Sequence, residues 1–301
     1  LLDRNGSETA KTELFDVRKD RETFTFEDVE ESPVPSLLRN FSAPVYVDYS
    51  YSEEELLLLM EHDTDDFNRW DAGQNLYSSI IKRATENVSE ADEILNNSRL
   101  YEGVKGILSN GTLAPSLKAH MLHVPSLEEL MNKISPVEPN QLMQVRRKLI
   151  QRLAKSNIDH IESIYEKTSN MLGRYSYNNQ DAESRCLKNT MLSLLAQTGD
   201  DKFIELAVKQ YEASDNMTDQ YAALAAINNI DTNMRKECLE KFYERWAHVP
   251  LVVNKWLVLE ASSELDNTFS RVIDIKNSER FKISNPNKDY SLVRSLCSGH
   301  A

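Results

Sequence analysis

The sequence predicts a mainly α-helical chain with a short β-type lead, and three features predict it. From about residue 51 onward, short amphipathic stretches follow one another with polar turns between them. Before that, residues 1–50 alternate apolar and polar side chains and carry prolines that interrupt helix. The change falls inside Ser36–Leu76, extended up to Ser50 and helical beyond Ser52. The predicted division is therefore 1–50 and 51–301. Short helices joined by short turns pack as antiparallel pairs and stack into a superhelix of ARM/HEAT-like type. No repeat of fixed length runs through the chain, so a TPR or ankyrin array is not supported.

In the lead, Glu13–Val17 and Thr23–Val29 have the alternation of half-buried strands, with Phe24 and Phe26 on one face. Glu31–Pro35 is a loop, because proline limits both helix and central strand. Pro44–Tyr49 is a third predicted strand, with Val45 and Val47 opposing Tyr46 and Asp48. Three strands are too few for a sandwich. They are expected to pair with strands outside this sequence or to pack on the helices.

Ser52-Glu53-Glu54-Glu55 is a capping box and starts the first helix. Asp63–Asp66 breaks it. Without the glycine and distal glutamate of an EF-hand, those acids read as helix caps rather than calcium ligands. Phe67–Arg83 is the second helix, with Trp70, Gln74 and Tyr77 near one stripe. Further helices are predicted at about 89–97, 100–108, 115–122, 126–132, 139–155, 158–168, 181–197, 202–211, 218–228, 233–246, 249–260 and 265–273. Ser126-Leu127-Glu128-Glu129 is a second capping box. Leu239, Phe242, Tyr243 and Trp246 follow helical spacing, as do Phe203, Leu206, Ala207 and Gln210.

The formal net charge of −13 argues against a nucleic-acid binder. Arg146-Arg147-Lys148 reads as the solvated face of a helix. No apolar run approaches the ~20 residues of a membrane span. Cys186, Cys238 and Cys297 are odd in number and lack a C-x-x-C pair, so they read as reduced, buried thiols of a cytoplasmic protein. Sequons at Asn5, Asn40, Asn87, Asn96, Asn110 and Asn216 arise readily in a chain rich in Asn and Ser. The Leu-Leu-Asp start and the Ser-Gly-His-Ala end suggest an excised portion of something longer.

A zinc peptidase needs H-E-x-x-H, and none of His62, His120, His123, His160, His248 or His300 is followed by Glu. His120 and His123 could share a helix face; without a third ligand they read as surface or packing residues. There is no G-x-G-x-x-G, P-loop or G-x-S-x-G. Trp70, Trp246 and Trp256 sit in apolar stripes and read as core.

Six stretches, in order, carry a resemblance: Pro33–Val45 (PVPSLLRNFSAPV), Asp66–Gln74 (DFNRWDAGQ), Leu122–Ser126 (LHVPS), Asp215–Asp219 followed by Ala222–Ala226, Asn254–Leu257 (NKWL) and Ser284–Lys288 (SNPNK). In these the chain resembles aminopeptidase N of the bacterial alanyl aminopeptidase branch. The resemblance implies a four-part zinc enzyme that removes N-terminal residues from short peptides. This chain would be the end of its immunoglobulin-like β-domain plus most of its C-terminal helical domain, lacking the terminal cap of the superhelix. Zinc and the catalytic residues would lie in the catalytic domain of the parent, so no catalytic or metal position is expected here and the isolated chain is expected to be inactive. Its partners would be the catalytic and β-domains, with peptide enclosed in a chamber. Val293-Arg294-Ser295-Leu296 is similar to the family's I-R-S-L stretch, which makes Arg294 a chamber-facing candidate for a peptide carboxylate; an ordinary helix-surface arginine is the competing reading. Asp289–Leu292 is an insertion against the family pattern. The acidic balance further suggests a chamber wall that attracts amino termini, or simply a solubilising surface. The alternative function is an α-superhelical scaffold that binds peptides or proteins without catalysis.

Overall fold

A computed structural model describes residues 1–9, 11–27, 29, 32–45, 47–136, 138–281 and 286–300. The helices begin with α1 (Glu53–His62), α2 (Asp66–Glu86), α3 (Ala91–Ile94), α4 (Ser98–Ser109), α5 (Pro115–Met121) and α6 (Leu127–Lys133). Next come α7 (Pro139–Ser156), α8 (Ile158–Met171), α9 (Asn179–Gln197), α10 (Asp201–Ala213) and α11 (Met217–Ile227). The chain continues through α12 (Asn233–Trp246), α13 (Pro250–Ala261), α14 (Thr268–Asn277), α15 (Pro286–Asp289) and α16 (Ser295–His300).

Helices α1–α14 follow the predicted rods with two differences, and α15 and α16 come in addition to them. The helix expected over 89–97 is a 3₁₀ turn, Val88–Glu90, followed by the single-turn α3. The one expected from Leu265 starts only at Thr268. Both capping boxes form as the spacing demands. Ser52 Oγ accepts from Glu55 N while Ser52 N donates to the Glu55 carboxylate, and Ser126 and Glu129 repeat the exchange. Asp65 caps α2 by accepting from Asn68 N at 2.9 Å, as the capping reading of the acidic stretch requires.

The helices pair into two layers. Helix α1 packs on α2, α8 on α9, α10 on α11 and α12 on α13. One layer contains α2, α7, α9, α11 and α13; α8, α10 and α12 back it. Between the layers lies one apolar core that includes Tyr77, Ile80, Leu149, Met191, Leu195, Phe203, Leu224, Phe242 and Trp256. Of the three tryptophans predicted to be core, Trp256 is buried, whereas Trp70 and Trp246 are only partly buried.

Several polar side chains inside this core are bonded to one another, as burial favours. Lys188 Nζ of α9 donates to Asp219 Oδ2 of α11 at 2.6 Å, and Asn189 Nδ2 donates to Asp219 Oδ1 at 2.9 Å. Gln210 of α10 donates to Asn189 Oδ1 and to the Asp219 carbonyl, and accepts from Tyr165 of α8. Four consecutive helices are thus tied at one place. Arg235 of α12, only 1% exposed, donates to Asn228 and to Glu260, and Arg271 donates to the same carboxylate oxygen.

The lead differs from its prediction. Among the described residues none of the three expected segments forms a strand; the only pairings are isolated bridges of Leu2 with Glu8 and with Val34. Strand geometry persists only through its ladder, and among the described residues no ladder pairing involves these segments. Asp28 of the second expected strand and Tyr46 of the third lie outside the described residues. Phe24 and Phe26 do share a neighbour, each ring meeting Phe15. The last part of the lead docks on the helices. Asn68 Nδ2 donates to Ser36 Oγ and to the Leu37 carbonyl, Asn40 N donates to Asp65 Oδ2, and Arg39 reaches Glu8 and the buried Asp63. Leu38, Asn40 and Phe41 are left-handed there, with φ of 52°, 55° and 52°.

Candidate functional site

The layer of α7, α9, α11 and α13 lines a groove of about 780 Å³. Its floor is apolar and small-sided: Ile150 and Leu194, with Ala222, Ala225 and Ala226 of α11. At one end stands the turn Leu122–Val124. Two side chains of α2 hold that turn from behind: Gln74 Nε2 donates to the His123 carbonyl at 2.8 Å, and Tyr77 OH donates to the Met121 carbonyl at 3.1 Å. A glutamine and a tyrosine within a buried stripe need partners, and here they fix a loop.

Arg146 of α7 braces the same turn, Nε donating to the Pro125 carbonyl at 2.7 Å. Neighbouring Arg147 pairs with Glu264, from the α13–α14 connection, at 2.7 Å. Glu264 is positioned in turn by its backbone N, which donates to Asn229 Oδ1. Lys255 of α13 stands with its ammonium 5.0 Å from the centre of the Tyr221 ring. Burial and then the Arg146 cation lower the pKa of His123, which favours the neutral imidazole near pH 7. Burial likewise lowers that of Arg146, against the opposing pull of Glu264 and Glu129.

Three of the stretches that carry the resemblance meet here: Leu122, His123 and Val124; Met217 and Thr218; and Lys255. The lead stretch and Asp66–Gln74 meet each other at the docking of residues 36–40 on α2, and Gln74 also reaches the turn at His123. Ser284 and Asn285 of the last stretch lie outside the described residues.

This geometry corrects the reading of the basic run. Arg146-Arg147-Lys148 is not a plain solvated face. The first two residues enter the groove, and only Lys148 turns outward, toward Asp92. The groove also does not share the acidic balance of the chain: it carries Arg146, Arg147 and Lys255 against Glu264. The cysteines are free, but only Cys238 is buried; Cys186 lines the groove and Cys297 is exposed.

Arg294 is outside the groove lining. It ends a π-helical turn, Tyr290–Arg294, that joins α15 to α16, and it is exposed. This turn contains Tyr290–Leu292 of the stretch expected to be an insertion. His120 closes α5 while His123 lies beyond it, so the two do not share a helix face. Among the described residues no three His, Cys, Asp or Glu side chains are placed to hold a metal ion. No described helix is long and apolar enough to cross a membrane.

Paired helices stacked into a superhelix, with a groove along one layer, place the chain in the class of ARM-repeat proteins. It belongs to the family described as Domain of unknown function (DUF3458_C) ARM repeats, which matches residues 53–301. Residues 1–50 match Domain of unknown function (DUF3458) Ig-like fold. The chain is similar to Aminopeptidase N of Escherichia coli (strain K12), 31% identical over 281 residues, covering 93% of this chain and 32% of that protein. Aminopeptidase N of Haemophilus influenzae is 28% identical over 296 residues, 98% of this chain and 33% of that one. A crystal structure of Legionella pneumophila aminopeptidase A in complex with aspartic acid superposes with a TM-score of 0.87 at 29% identity, covering 99% of this chain and 35% of that one. The chain thus spans about a third of the length of the curated relatives it matches.

Proposed function

We propose that this chain is the non-catalytic helical wall of a zinc aminopeptidase that removes N-terminal residues from short peptides. The observation that carries the reading is the convergence of three separate aminopeptidase-like stretches on one groove. Residues 1–50 would be the closing part of an immunoglobulin-like domain and 51–301 the helical domain. The partners are then the catalytic and β-domains of the same protein, and the free thiols fit a cytoplasmic setting.

In such an enzyme zinc supplies Lewis-acid activation of the carbonyl and of water. The residues described here do not fit it, since no donor set of the required size is assembled; no step of the reaction passes through them. What the chain contributes is enclosure and orientation: an apolar floor, polar walls, and cations at the rim. Arg294, exposed at the π turn and outside the groove lining, is a further cation offered to the chamber.

Ala225 is an exposed residue of the groove floor. In the full-length parent, Ala225→Trp is expected to raise KM for a pentapeptide while leaving turnover of a small aminoacyl-arylamide unchanged. An equal effect on both substrates, or none on either, refutes a substrate-facing groove. The isolated chain supplied with zinc is expected to release no arylamine. A free-standing scaffold would instead bind peptides without associating with a catalytic portion.

A further inference from the structure

We propose that the groove is a receptor for the carboxylate of a short peptide, with Lys255 and Arg146 supplying the charge and Glu264 occupying Arg147 until a ligand competes. This rests on the reading of the groove as substrate-facing and names what it recognises there.

The groove holds three cations and one carboxylate, in a chain whose net charge is −13. Glu264 neutralises Arg147 at 2.7 Å. Among the described residues Arg146 has only carbonyl oxygens as hydrogen-bond partners, Pro125 at 2.7 Å and Val124 at 3.4 Å. Carbonyls solvate a guanidinium without cancelling its charge. The lowered pKa of Arg146 has the same origin, a cation taken out of water without a full counter-charge. Lys255 is exposed to the groove, makes no ion pair among the described residues, and rests on the Tyr221 ring. Lys255 without an ion pair, and Arg146 only partly offset by Glu264 and Glu129, leave the groove net positive over an apolar floor and focus potential on whatever anion enters.

The anion's class follows from the surroundings. A guanidinium presents a planar fork that matches a carboxylate, and Arg147 already holds one in Glu264. The alanines of α11 and Ile150 suit a small apolar peptide body, and a volume of about 780 Å³ is that of a ligand site. A polyanion is disfavoured by the charge of the whole chain.

The test is calorimetric titration of the chain with tetra-alanine, with its C-terminal amide, and with an amidated tetrapeptide containing one glutamate. The free acid is expected to bind at least about tenfold more tightly than the amide, since charge-assisted hydrogen bonds are the strong ones, with affinity falling as salt rises. Lys255→Met should remove most of that difference, whereas Glu264→Gln should tighten free-acid binding by releasing Arg147. If the glutamate peptide binds like the plain amide, the C-terminal carboxylate is the group recognised; if it binds like the free acid, any peptide carboxylate suffices and the proposal holds in its general form. Equal binding of acid and amide, no binding of either, or an unaltered acid preference in Lys255→Met overturns it. Those failures would leave the Ala225→Trp result in the parent untouched, so the two readings fall separately. Lys255 is exposed, so its replacement is expected to leave the melting curve unchanged.

Discussion

Asp219→Ala should be far more damaging than removal of the lysine it binds. Its carboxylate accepts from Lys188 Nζ at 2.6 Å, Asn189 Nδ2 at 2.9 Å and Asn216 Nδ2 at 3.1 Å, and both members of the ion pair are under a tenth exposed. Truncating the acid leaves an ammonium with no counter-charge between α9 and α11. Breaking a buried pair in this way costs about 3–5 kcal/mol. Solvent reaching the site from the neighbouring cleft, which both residues line, moves the expectation to the lower part, about 3–4 kcal/mol. Lys188→Met leaves Asp219 with two amide donors and replaces the stem with apolar volume, so about 1–2 kcal/mol is expected. Urea unfolding of the single and double variants, followed by helical circular dichroism, measures both values and their coupling. Equal costs for the two single variants, or a coupling below about 0.5 kcal/mol, would show that the pair is not the tie between these helices.

Other expectations follow from local geometry. Ser126→Ala removes the cap of α6 and should cost about 1 kcal/mol. The hydrogen bonds from Ser126 hold the Glu129 carboxyl below its ordinary pKa; a depressed folded pKa gives stability that is present above the unfolded value and lost as pH falls through the folded one. The Ser126→Ala penalty should therefore shrink in acid, and a penalty that grows on acidification contradicts the assignment. Glu240→Gln loosens the fork that Arg280 makes with Glu240 across α12, with Arg280 lying 4.4 Å from the Tyr243 ring centre. Because both partners are more than a third exposed, a loss of about 0.5–1 kcal/mol is expected, read as faster amide exchange at 278–281 with little change elsewhere. Arg39→Ala should make residues 36–50 the first site of limited proteolysis, since Arg39 ties them to Glu8 and Asp63; an unchanged cleavage pattern would mean the segment is held by other contacts.

The helices were legible because their signals are local. Ser52, Asp65 and Ser126 each carry the oxygen that stops an orphan N–H two or three residues on, and the apolar spacing behind them needs nothing from afar. Strand assignments at 13–17, 23–29 and 44–49 rest on alternation alone, which cannot supply the neighbour a ladder needs. The groove was hidden for a different reason. Arg146 and Arg147 have the composition of a solvated helix face, and only the placement of α9 and α11 converts that face into a wall. The wall residues Arg147, Thr190, Tyr221 and Lys255 come from alternate helices at unequal intervals, so no fixed repeat betrays them. One signal was available. Gln74 and Tyr77 interrupt an apolar stripe, and such interruptions announce a buried acceptor, here the turn at His123.

The three left-handed residues near position 40 turn the junction into a loaded spring. A non-glycine residue at such φ is uphill by roughly 1–2 kcal/mol, Asn by less, and the bonds that Asn40, Ser36 and Arg39 make to Asp65, Asn68 and Asp63 hold the segment around them. If those bonds let go, the segment should relax by itself and resist rewinding, so that seating the first fifty residues behaves as a latch rather than as a freely swivelling joint.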